Sequence, residues 1–145
     1  MRAIIVHTPG GPQAMQLEEV ALPAAGRGEV LVDVAYCGCN WADVMVRANS
    51  YPHPTQYPAL LGCEISGHVR AIGEGVTGLE IGQRVAACLP VDGGYAEVCA
   101  VPVQDIIPLP PGMPLATGTT KLLDSTRPQV RQSTRLLNHE TTRLR

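Results

Sequence analysis

Glycine stops at position 118. All 15 glycines of this 145-residue chain lie at or before Gly118, so the tight turns that need positive φ are open to the stretch before it and closed to the stretch after it. Charge changes at the same place. Residues 1–118 carry 5 Lys/Arg against 11 Asp/Glu, a net of −6, whereas residues 119–145 carry 6 against 2, a net of +4. Such an asymmetry marks a domain boundary, a binding tail or a foreign segment. The chain divides accordingly into residues 1–117, a Gly-punctuated β-rich unit, and residues 118–145, an atypical basic tail.

The first unit reads as short strands separated by Gly/Pro corners. Met1 to His7 ends at Thr8-Pro9-Gly10-Gly11-Pro12, and Gln16 to Leu22 is its hairpin partner. Glu29 to Tyr36 gives the clearest alternation, with Val30, Val32, Val34 and Tyr36 on one face. A short helix is expected over Asn40–Ala48, with Asn40 as N-cap, Asp43 in the first turn and Trp41, Val44 and Met45 as its apolar side. Tyr51 to Pro58 holds Pro52, Pro54 and Pro58 and reads as a loop. Further strands are expected at Glu64–Ile72, Arg84–Leu89, Tyr95–Val101 and Ile106–Leu109. Many short strands with such corners predict a barrel or sandwich rather than a doubly wound sheet. In the tail, Ser125 or Thr126 can cap a helix, but the β-branched Thr residues at 126, 134, 141 and 142 weaken it, so partial helix and disorder stay open.

The chain has no Phe and one Trp, so its core must come from Val, Ile, Leu and Ala. A domain of this size needs no disulfide staple. No apolar run reaches the length of a membrane span, and the N-terminus is too soon broken by Pro and Gly for a signal peptide. A soluble, cytoplasmic protein with five reduced cysteines is expected. The net charge of −2 gives no general attraction to nucleic acid. The tail's basic residues are spread without aromatic interleaving, which is a weak nucleic-acid footprint.

Five ordered blocks carry a resemblance: MRAIIVHTPGGP, GRGEVLVDVAYCGCNWADVMVRANSY, PALLGCEISGHVRAIGEGVTGLEIGQRV, GGYAEVCAVP and IIPLPPGMP. In this order they resemble the N-terminal catalytic domain of the medium-chain dehydrogenase/reductase superfamily, in its zinc-free quinone oxidoreductase branch. The resemblance implies a mainly β fold, a GroES-like, partly open β-barrel with short helices. It also implies hydride transfer from NADPH to a quinone or enone, in a cleft shared with a Rossmann domain. No G-x-G-x-x-G fingerprint follows Gly118, so the chain is expected to lack that domain, to bind no cofactor tightly and to be inactive alone. The alternative is a non-catalytic domain that binds a partner through its exposed docking face. Quaternary structure is not carried over by the resemblance.

Three residues are singled out. Asn40, at a strand-to-helix junction, can cap the helix or offer donor and acceptor to a ligand amide. Zinc-dependent members have Cys at this place, so the resemblance implies a zinc-free site with Asn40 on the cofactor. Tyr51 resembles the family tyrosine that reaches toward substrate and nicotinamide; its phenol could donate to a reducing carbonyl. The spacing R-x-G-x-Y appears as Arg47-Ala48-Asn49-Ser50-Tyr51, and Asn49 tolerates the left-handed geometry of the missing glycine. Cys63, within Gly62-Cys63-Glu64, stands where zinc members have a His ligand and is assigned to substrate. Cysteine can itself bind zinc, and Cys37 and Cys39 could join it, but Asn40 is a poor first ligand, so no metal is expected. Asp43 and Glu64 are expected to pair with Arg47 or Arg70. Of the dispersed histidines, only His53 is placed near a cleft.

Overall fold

A computed structural model describes residues 1–89 and 93–121. The expectation of helix or disorder in the tail falls on 122–145, outside the described residues. Among the described residues eight strands and two α-helices follow in order: β1 (Arg2–Val6), β2 (Met15–Glu19), β3 (Glu29–Gly38), α1 (Trp41–Arg47), β4 (Ala59–Leu60), β5 (Glu64–Ile72), β6 (Arg84–Cys88), β7 (Val98–Pro102), β8 (Ile106–Pro108) and α2 (Leu115–Lys121). The mainly β architecture with short helices is as the sequence predicts.

The strands form two antiparallel sheets, ordered β2-β1-β4 and β7-β3-β5-β6-β8. β1 and β2 make the expected hairpin, in register from Arg2 opposite Glu19 to Val6 opposite Met15. A short seam joins the sheets: Ile4 N–H donates to the Tyr95 carbonyl at 2.8 Å, Glu97 N–H to the Arg2 carbonyl at 3.1 Å, and Ala3 bridges Ala96. The barrel is therefore bent together along one edge without being closed.

The main core lies against the five-stranded sheet and is built from Val30, Val32, Ile65, Val69, Val85 and Val101 with Leu89, Ile106 and smaller neighbours. These β-branched side chains fit a pleated surface and fill the volume that aromatic residues occupy elsewhere. A smaller cluster, Val6, Val46 and Leu61, ties α1 to the first sheet. On the opposite face of the large sheet, α2 packs over β3, β5 and β6. Ser66 and Ala86, paired across β5 and β6, leave room there. The Ser66 hydroxyl bonds the Leu115 carbonyl at 2.8 Å and lies 2.9 Å from the Thr119 hydroxyl. Thus α2 crosses position 118 and is held from both sides of it.

β3 departs from its predicted alternation. Val34 pairs with Gly67 and Tyr36 with Ser66, so one extra residue, Ala35, is accommodated as a bulge. Past the bulge the faces exchange: Tyr36 is 52% exposed rather than on the valine face, and Cys37 packs against the core instead. Gly67 permits the close approach, because a Cβ there would collide with the Asp33 carbonyl oxygen. The apolar side expected for α1 is also corrected. Trp41 is 61% exposed, and the buried residues of the helix are Asp43 and Val46. The helix presents its Asp43/Val46 side because polar partners wait there for the carboxylate.

Candidate functional site

The end of β3 runs into α1 through Gly38, Cys39 and Asn40, and the turn before β5 supplies Leu61, Gly62 and Cys63. A third stretch, Gly94 and Tyr95, lies beside that turn. Tyr95 N–H donates to the Leu61 carbonyl and Gly94 N–H to the Gly62 carbonyl, both at 2.8 Å. Gly62 has φ +94°, the left-handed region that favours glycine. A Cβ on it would come within 2.5 Å of the Tyr95 ring and 2.8 Å of the Tyr95 nitrogen. Glycine is thus required both by conformation and by space.

Asn40 is the N-cap of α1, and its side-chain Nδ2 donates to Cys63 Sγ at 3.4 Å. Two of the three singled-out residues are therefore in contact, although 23 residues separate them. Tyr51 occupies the loop after α1 and is 38% exposed, with its ring edge-on to His53 at a centroid distance of 5.8 Å. Among the described residues it makes no hydrogen bond to Asn40 or Cys63. Asn49 has φ +55°, so it does take the left-handed geometry expected in place of glycine.

Asp43 corrects its prediction. It is 7% exposed and takes neither arginine: Arg47 Nε donates to the Gly10 carbonyl at 3.1 Å, and Arg70 pairs with Asp33 at 2.8 Å. Its Oδ2 accepts from Asn40 N–H at 2.7 Å and from the Tyr95 hydroxyl at 3.2 Å, and its Oδ1 accepts from Gly62 N–H at 3.2 Å. Tyr95, which sequence reasoning passed over, thus joins the corner. The one local signal was Asp43 three residues after an N-cap Asn, the pattern of a capping box. Nothing local pointed to Tyr95 or Gly62.

The electrostatics keep this corner neutral at sulfur. Burial first, then the Asp43 charge, push the Cys63 thiol up to about 12, from an ordinary 9.0. The same causes in the same order raise Cys37. The Tyr95 phenol is raised as well, by burial and then by hydrogen bonding to Cys39 and the charge of Asp43. Cys63 is therefore a hydrogen-bonding and packing thiol and a poor nucleophile at neutral pH. None of the five cysteines forms a disulfide. Among the described residues no group of three or more His, Cys, Asp or Glu is gathered as a metal would require.

Alongside the corner, Ile4, Leu17, Val34, Tyr36, Cys39 and Tyr95 border an open depression of about 440 Å³. Leu17 is 68% exposed. This apolar strip lies along the seam where the two sheets join. No described helix is long and apolar enough to cross a membrane.

The profile of the alcohol dehydrogenase GroES-like domain matches residues 26–111. Among curated proteins the chain is similar to the mouse synaptic vesicle membrane protein VAT-1 homolog-like, 37% identical over 113 residues, covering 78% of this chain and 27% of that protein. It is also similar to rat quinone oxidoreductase, 31% identical over 144 residues, covering 92% of this chain and 44% of the relative. Among solved structures, Escherichia coli quinone oxidoreductase complexed with NADPH superposes with a TM-score of 0.80 at 27% identity, over 86% of this chain and 38% of that one. The chain thus spans less than half the length of the relatives it matches.

Proposed function

This chain belongs to the alcohol dehydrogenase GroES-like domain family, and from that premise we propose that it is the substrate-side part of an NAD(P)H-dependent quinone or enone reductase. Residues 1–117 form the GroES-like unit of that reading and residues 118–145 a basic extension. One observation supports it most: positions 40 and 63, where zinc-dependent members carry Cys and His, are brought into contact here as Asn and Cys. Similarity to NADPH-complexed quinone oxidoreductase fits the same chemistry.

Bound nicotinamide would supply the hydride. The chain's own residues then bind and orient. Asn40 Nδ2 carries two hydrogens and spends one on Cys63; the second suits a carboxamide oxygen, so the residue fits the cofactor role. Tyr51, on a partly exposed loop, offers its hydroxyl to the acceptor carbonyl, where negative charge develops as hydride arrives. Cys63, held as a neutral thiol, lines the substrate side without competing as a nucleophile.

No described segment supplies a nucleotide-phosphate cradle, so the 145-residue chain alone is expected to leave NADPH unoxidised in the presence of a quinone. Robust turnover by the purified chain would overturn that part of the reading. The site itself is tested by titrating ¹⁵N-labelled chain with duroquinone, whose substituted ring does not alkylate thiols. Expected are shifts of the Asn40 side-chain amide and of resonances around 51 and 63, weakened several-fold by Tyr51→Phe. Shifts absent there at millimolar quinone would sink the assignment. The exposed Leu17 and Tyr36 favour a second reading, a non-catalytic domain that docks a partner through the strip beside the corner. Shifts confined to that strip would support it instead.

A further inference from the structure

The sequence pattern puts Asp43 in the first turn of a short helix with an arginine as partner, yet the structure buries it and gives both of its oxygens other donors. Three donors converge on the carboxylate from three separate stretches of chain: Asn40 N–H, Gly62 N–H and the Tyr95 hydroxyl. Each belongs to the immediate frame of the candidate site. The first is the backbone of Asn40 itself, the second is the backbone of the residue before Cys63, and the third is the ring that fills the space beside Gly62. Among the described residues no arginine pairs with it, and Arg47 and Arg70 are engaged elsewhere. A carboxylate taken out of water is costly unless hydrogen bonds replace its hydration, and here the replacement donors are themselves the site's supports.

We propose that Asp43 is a positioning residue, which clamps the start of α1 to the Gly62–Cys63 turn and to Tyr95 and thereby sets the contact between Asn40 and Cys63. The inference rests on the assignment of Asn40 and Cys63 to the site, but the clamp can be tested with no ligand present. Asp43→Asn is the informative change. Asparagine nearly matches aspartate in size but carries one oxygen and one NH₂ group. Whichever way it turns, a donor replaces one of the two oxygens, and either Asn40 N–H or Gly62 N–H faces it without an acceptor.

The experiment compares ¹⁵N spectra and amide exchange of the full chain and its variants. For folded Asp43→Asn we expect the Asn40 side-chain amide pair to move and exchange at Asn40 or Gly62 to speed by about tenfold or more. The Val69 N–H, which donates to the Gln83 carbonyl far from the clamp, is expected to hold within about twofold. Tyr95→Phe keeps both oxygens and removes only the phenol; it should move the Asn40 signal by less. Unmoved Asn40 signals with both amides protected as in the parent would overturn the proposal. So would a uniform loss of protection that includes Val69, because that is a generally structural role. If Asp43→Asn does not fold, Tyr95→Phe decides: movement of the Asn40 and Gly62 signals supports the clamp, and none overturns it. A failed quinone titration with these results intact removes the assignment of the site and leaves the clamp standing.

Discussion

The valine core of the large sheet and the polar corner at Asp43 meet along β3, and they are held together by opposite means. The core is non-directional: Val30, Val32, Ile65, Val69, Val85 and Val101 are each almost wholly buried, and each contributes roughly 1.5–3 kcal/mol by leaving water. The corner depends on direction. Its three hydrogen bonds, made to a charged acceptor, are worth about 1.5–3 kcal/mol each in net terms, but each requires one donor at one place. A core tolerates substitution by similar volume, whereas a corner of this kind fails by losing aim. The fold is thus secured by the first region and the geometry of the site by the second.

The largest break in that division should come from Gly67→Ala. The added methyl group meets the rigid Asp33 backbone rather than a movable side chain, so a loss of more than about 4 kcal/mol is expected in denaturant melts; a loss below about 1 kcal/mol would show that the bulge is not fixed there. Next, Ile65→Ala removes a fully buried side chain and should cost about 3 kcal/mol, while leaving the Asn40 side-chain signal in place. Movement of that signal would mean that core and corner are not separable.

Alkaline pH acts on the corner and the core together. Cys63 and Cys99 are raised from 9.0 to about 12 by burial, so above pH 9 the unfolded chain releases protons that the folded chain retains. Stability from these thiols is therefore complete below pH 9 and lost as pH rises toward 12. A melting temperature that rises across that window would contradict the assignment. The smallest effect is expected from Arg70→Ala. Its ion pair with Asp33 is about half exposed on both sides and should be worth less than about 1 kcal/mol by denaturant titration.

What the sequence disclosed follows the same line. Strand positions were legible because alternation and Gly/Pro corners are local, and β5 begins and ends where the pattern placed it. Tyr36 was misplaced because alternation assumes a constant count, and the bulge at Ala35 is a property of the pair β3–β5. Trp41 was assigned inward on apolarity alone, while the inward face is fixed by donors 19 and 52 residues from Asp43. Asn40 and Cys63 were found through resemblance, which carries long-range information that composition and spacing do not. Their hydrogen bond to one another had no local signature.

The extra residue at Ala35 sets the phase of everything downstream in β3. Because side chains alternate along a strand, running the same residues straight through without the bulge would put Tyr36 on the valine side and turn Cys37 away from it. The peptides leading to Asn40 would arrive half a pleat out of step, and the amide would no longer face Cys63. Position 35 is exposed, at the border of the open depression, so the bulge asks little of its side chain. Among relatives of this chain, one residue inserted opposite it, between Ser66 and Gly67, is therefore the change to watch: it would leave the composition almost intact and retune the site by arithmetic alone.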